Sequence, residues 1–113
     1  MSNLNKNDLS PAIVDLGIAR KGKLNESLLR MFGGAVKGIL RYMFADAELP
    51  PGIIRGTPSE IKSFADALNK EKQYMETYAE LGLDNPQTYR DKYKLDQATS
   101  RFERQTGIKW PFK

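Results

Sequence analysis

The chain contains no cysteine and no histidine. The first absence excludes disulfides, thiolate nucleophiles and Cys-based zinc sites. The second removes the commonest general base at neutral pH and the commonest transition-metal ligand. A catalytic centre would have to be assembled from Asp, Glu, Lys, Tyr or Ser alone, and no motif for one occurs. Arg20-Lys21-Gly22-Lys23 has neither the spacing nor the following Ser/Thr of a P-loop, and Gly33-Gly34-Ala35-Val36-Lys37-Gly38 lies inside a helical pattern, not after a strand. No cofactor and no metal are expected. Long apolar runs are missing too. The most apolar stretch, Leu28 to Phe44, is interrupted by Arg30, Lys37 and Arg41 and is too short and too charged to span a bilayer. The first residues, Met-Ser-Asn-Leu-Asn-Lys, lack the apolar region of a secretory signal. Together with the missing cysteines this points to a cytoplasmic or intracellular protein.

What remains is the composition of one small globular domain: 113 residues, 40% apolar and 28% charged. A chain of this length buries roughly two-thirds of its unfolded surface, enough for a single core. The net charge of +4 is uneven, +3 over residues 1–56 and +1 over 57–113. Arg20, Lys21 and Lys23 make most of the excess, which permits an anionic partner without demanding one.

The pattern along the chain predicts an all-α fold. Residues 1–23 read as a polar, mobile N-terminal arm with a short helix at 11–20, capped by Ser10-Pro11 and carrying Ile13, Leu16 and Gly17 on one side. Residues 24–113 read as one helical domain. Asn25 caps an amphipathic helix at about 25–44, whose Leu28, Phe32, Ala35, Val36, Ile39 and Met43 recur at the helical period. Gly33-Gly34 in its middle calls for a kink or the close approach of another backbone. Pro50-Pro51-Gly52 starts a turn, and Ile53-Ile54-Arg55 is an extended piece across the core.

Thr57-Pro58-Ser59-Glu60 carries a capping box with Pro at the first helical position. It opens an αα-hairpin at about 57–106, closed by a tight turn between Gly82 and Pro86, with Gly82 expected in a Schellman motif. Pairing the apolar positions sets Tyr78 opposite Tyr89, Met75 opposite Tyr93, Leu68 opposite Thr99 and Ala65 opposite Phe102. The helix at 25–44 is the third layer that covers the open face of this hairpin.

Four groups of residues invite a functional reading. Arg30, Lys37 and Arg41 lie within about 40° of one another on the helix at 25–44. With Arg20, Lys21 and Lys23 they make a candidate surface for anions or nucleic acid, although charges opposite an apolar stripe are what most surface helices show. Tyr74, Tyr78, Tyr89 and Tyr93 cluster near the hairpin turn among Lys70, Lys72, Arg90, Lys92 and Lys94. Tyr78, Tyr89 and Tyr93 fit a core with hydroxyls at its rim, while Tyr74 lies about 100° off the stripe and is a candidate for partner contact. Glu76, Glu80 and Asp84 share a face, but no calcium-loop pattern accompanies them. The aromatic tail at 108–113 carries Trp110 and Phe112. Docked on its own bundle it completes a small core, the arrangement expected of the isolated protein; docked on another chain, Trp110 and Phe112 would be anchors.

These features favour a non-catalytic role in protein–protein interaction, as a structural or assembly subunit. Its partners would be other copies of the chain or subunits of a larger assembly, gripped by a helical face and the terminal arms. Nucleic-acid binding by the basic N-terminal half is the second reading, and a small enzyme without His or Cys the third.

Overall fold

In a computed structural model the described residues are 13–49 and 52–112. The expectations for the arm at 1–12, for Pro50-Pro51 and for Lys113 lie outside them. Among the described residues the chain forms three helices, α1 (Glu26–Phe44), α2 (Pro58–Leu81) and α3 (Pro86–Thr106), and two short strands, β1 (Val14–Asp15) and β2 (Ile54–Arg55).

Each helix starts where a side chain can satisfy its first free N–H groups. Asn25 Oδ1 accepts the Leu28 N–H at 2.9 Å, and Asn85 Oδ1 accepts the Gln87 N–H at 2.9 Å. The capping box of α2 is complete: Thr57 Oγ1 accepts the Glu60 N–H at 3.2 Å, and Glu60 Oε1 accepts the Thr57 N–H at 2.8 Å. The helix ends differ from expectation. The Schellman pattern closes α1, not α2: the Asp46 N–H bonds to Met43 O, the Ala47 N–H bonds to Tyr42 O, and Asp46 has φ 54°. Gly82 does take positive φ, at 82°, but with ψ 173° the chain leaves α2 extended. Only one bond, Gly82 N–H to Tyr78 O, closes that end.

The helix expected at 11–20 is replaced by β1 and one helix-like turn. β1 runs parallel to β2, with Val14 paired to Ile54 and Asp15 to Arg55. Val14 and Leu16 are buried while Ile13 is exposed, an alternation of period two that wins over the weak Ser10-Pro11 signal. The Gly17–Ala19 backbone then turns once, with bonds from Lys21 N–H to Gly17 O and from Lys23 N–H to Ile18 O.

The core is built around four rings, one from each helix and one from the tail. Phe32, Phe64 and Phe102 have centroids 5.7–5.9 Å apart, and Trp110 lies edge-on to Phe64 at 6.1 Å and to Phe102 at 5.4 Å. Val36, Ile39, Leu68, Ala98 and Ile108 pack around them. The double glycine of α1 finds no reason in the packing: a Cβ at Gly33 would meet Pro111 Cβ at 3.4 Å, an ordinary contact, one at Gly34 would meet nothing within 4 Å, and the helix runs through both without a break.

The hairpin register follows the sequence pattern through polar partners. Asp66 pairs with Arg101, and Thr77 donates to Asp91, both within one residue of the expected alignment.

Candidate interaction surfaces

Two of the six candidate anion-binding cations are occupied within the fold. Arg20 donates to both carboxylate oxygens of Glu60, at 3.0 and 3.3 Å, and so ties the turn after β1 to the start of α2. That hydrogen bond is the main reason the Glu60 carboxyl is held below its ordinary pKa. Lys21 pairs with Asp15 at 2.9 Å, and its hydrogen bond likewise lowers the Asp15 pKa. The basic surface is therefore smaller than the sequence suggests. Lys23, Arg30, Lys37 and Arg41 are exposed and have no ion-pair partner among the described residues.

The tyrosines are arranged opposite to expectation. Tyr78, Tyr89 and Tyr93 are 49%, 59% and 64% exposed, whereas Tyr74 is half-buried. On α3 the inward positions near the turn are Thr88 and Asp91, and both are buried. A polar network replaces an apolar core there: Asp91 accepts from Thr77 Oγ1 and, at 2.9 Å, from Gln87 Nε2, while Thr88 Oγ1 donates to Gly82 O at 2.7 Å. Satisfied in this way, the groups tolerate burial. The signal was present in the sequence, since Thr88, Asp91, Leu95, Ala98 and Phe102 recur at helical spacing, but a carboxylate in a stripe reads as an interruption. Tyr74 packs edge-on to Tyr78 at 6.1 Å, with Lys92 Nζ 5.8 Å from its ring centroid.

The aromatic tail docks on its own bundle. Trp110 is 3% exposed, its indole N–H donates to Glu71 Oε1 at 2.8 Å, and its backbone N–H donates to Glu103 Oε2 at 2.8 Å. Trp110 is thus not offered to a partner, and Phe112 is half-buried beside it, ring centroids 6.3 Å apart. Glu71 itself was not singled out from the sequence. It sits on the buried face of α2, between Leu68 and Met75, where the apolar stripe skips a turn. Burial raises its pKa, against the Trp110 hydrogen bond, which lowers it.

Of the acidic face, Glu76 pairs with Lys72 at 2.9 Å. Among the described residues no three acidic side chains converge as metal ligands. Nor is any described helix long and apolar enough to cross a membrane.

A shallow groove runs between α1 and α2. One part, of about 610 Å³, is lined by Lys37, Leu40, Arg41, Phe44, Ala45, Met75 and Phe112. The α1 residues Lys37, Leu40, Arg41 and Phe44 stand at helical spacing on one face. The groove continues past Phe44 and Met75 to Gln73, Glu76, Thr77, Ala79 and Glu80. Lys72 Nζ lies 5.2 Å from the Phe44 ring centroid, at the junction of the two parts. Compared with known proteins, the chain matches no family model, no curated protein and no solved structure.

Proposed function

We propose that the chain is a non-catalytic binding module, a structural or assembly subunit that holds a protein partner on the distal end of the α2–α3 hairpin. The observation that carries this reading is the exposure of Tyr78, Leu81, Leu83, Tyr89 and Tyr93 around the hairpin turn. Scattered exposed apolar residues are ordinary. Five large ones, three of them tyrosine, at the end of one rigid element are what a protein interface uses for anchoring area. The polar network around Asp91 supports the same reading, because it holds the two helices together there without drawing the tyrosines inward. The C-terminal arm drops out of the reading, since it serves the protein's own core.

Nucleic acid is the weaker alternative, with Arg20 and Lys21 already paired to carboxylates. Capture on immobilised protein separates the two. Retention of a protein that survives high salt and is lost with Tyr89→Ser/Tyr93→Ser supports the proposal. Retention of nucleic acid that collapses with salt, as counterions are recaptured, and is lost with Arg30→Glu/Lys37→Glu overturns it. The same proteins retained by wild type and by the tyrosine variant also overturn it.

A further inference from the structure

The groove between α1 and α2 has a polarity. At one end Lys37 and Arg41, one helical turn apart, flank Leu40 and Phe112. At the other, Glu76 and Glu80, also one turn apart, flank Ala79. Between them lie Phe44, 46% exposed, and the half-buried Met75, which belong to both parts. Lys37, Arg41 and Glu80 have no ion-pair partner among the described residues, and Glu76 has only the neighbouring Lys72.

With Lys72 lying over the Phe44 ring and tied to Glu76, the surface has cations at one end, carboxylates at the other and the Phe44 ring and Met75 between them, an arrangement complementary to itself when turned about its middle. A twofold axis through the Phe44–Met75 centre brings Lys37 and Arg41 of one copy onto Glu76 and Glu80 of the next, twice over. Phe44 then meets its own counterpart at the middle. That is the symmetry of an isologous dimer, in which one patch serves both partners. We propose that this groove is the interface between two copies of the chain. A polyanion or an anionic membrane fits it poorly, because phosphates drawn to Lys37 and Arg41 would be repelled at Glu76 and Glu80. The inference rests on the reading of the chain as a protein-binding module but uses a different surface, so the distal tyrosines remain free in the dimer.

The test is sedimentation of the full-length protein over a dilution series, with charge reversals at each end. Wild type sediments as a reversible dimer. Lys37→Glu/Arg41→Glu, and separately Glu76→Lys/Glu80→Lys, weaken dimerisation by at least about tenfold, since each places like charges opposite each other. Mixing the two variants restores the dimer, because every contact is then between opposite charges. Phe44→Asp gives a monomer that mixing does not rescue when both copies carry it. A cooperative melt and Trp110 emission matching wild type show that these variants are folded. A wild-type monomer at every concentration up to about 0.5 mM overturns the proposal. So does a dimer indifferent to both charge reversals, or one that mixing fails to restore. Tyr89→Ser/Tyr93→Ser should leave the dimer intact. A dimer lost in that variant would place the self-contact at the hairpin tip and overturn the groove, while leaving the protein-binding reading in force.

Discussion

The two ends of the α2–α3 hairpin are made of the same secondary structure in one continuous register, yet they are held together by different physics. At the base, Phe64, Ala67 and Leu68 of α2 face Ala98 and Phe102 of α3, and α1 and the tail cover what the pair leaves open. At the tip no third layer is present among the described residues. There the helices are joined by Thr77, Gln87, Thr88 and Asp91, and the large side chains point to solvent. Apolar burial requires a lid, whereas a short-range polar network needs only the two helices that form it. A hairpin longer than the layer covering it therefore changes from hydrophobic to polar adhesion part-way along, and its uncovered end is free to meet something else.

The sharpest way to break this contrast is to remove the lid. Truncation after Gly107 deletes Ile108 and Trp110, both buried, and uncovers the faces of Phe64 and Phe102. Loss of a buried Trp alone costs about 3–5 kcal/mol, and a domain of this size has only about 5–15 in total. The truncated protein should melt far below the full chain or fail to fold. A melt left unchanged would mean that the tail contributes nothing to the core.

Next in size is the comparison along α3 itself. Phe102→Ala removes a fully buried ring in contact with Phe32, Phe64 and Trp110, and should cost about 3–5 kcal/mol in urea denaturation. Tyr93→Ala, on the same helix at the exposed end, should stay within about 0.5 kcal/mol of wild type. Equal costs would show that the tip carries a core of its own.

Gly82→Ala probes the turn that makes the tip. A φ of 82° with ψ 173° is a conformation that an L side chain adopts only under strain, while no atom within 4 Å would obstruct the added Cβ. The cost is then a backbone term of about 1–3 kcal/mol, and it opposes the better helix propensity of alanine. A neutral or stabilising result would mean that the turn relaxes, as an end held only by local polar bonds could.

The same division decides what was legible in the sequence. The caps at Asn25 and Thr57 and the stripe of α1 depend on local spacing, and they stand where the pattern puts them. The hairpin register was legible in its alignment, which Asp66–Arg101 and Thr77–Asp91 keep, although not in its apolar pairs: Ala65 is exposed, and Phe64 meets Phe102 in its place. The side chains at the tip were not legible, because tyrosine scores as apolar wherever it lies. Only the missing third layer, a tertiary fact, turns Tyr78, Tyr89 and Tyr93 outward and Asp91 inward. β1 was misread for the same reason: two residues of parallel pairing depend on Ile53 and Arg55, about forty residues away, and leave almost no local trace. Of the six basic candidates, pairing removed Arg20 and Lys21, and the partner of Arg20, Glu60, was visible only as a capping residue.

Glu71 lies between the two ends, and its substitution should have the smallest and most specific effect. The residue is buried, and its carboxylate accepts the Trp110 indole N–H and feels the charges of Lys92 and Asp96 on α3. Burial raises its pKa; the Trp110 hydrogen bond and the Lys92 charge oppose the rise, and Asp96 adds to it. A folded-state pKa above the unfolded value means that the native protein holds the proton more tightly. The stability this gives is present below the unfolded pKa and is lost as pH rises through the folded one. Glu60 and Asp15 have lowered pKa values, so their contribution runs the other way: present above the unfolded carboxylate value and lost as pH falls through the folded one. Wild-type stability should therefore fall on both sides of a maximum in the acidic range. Glu71→Gln keeps an oxygen for the indole and removes the charge, so the alkaline-side decline attributable to this residue should vanish while the acid-side decline remains. Urea midpoints measured for both proteins from about pH 3 to pH 7 should show the variant gaining on wild type as pH rises. Trp110 emission should stay blue-shifted in both, reporting an unmoved tail. A difference between the two proteins that does not change with pH would show that the Trp110 hydrogen bond fully offsets the burial of the charge.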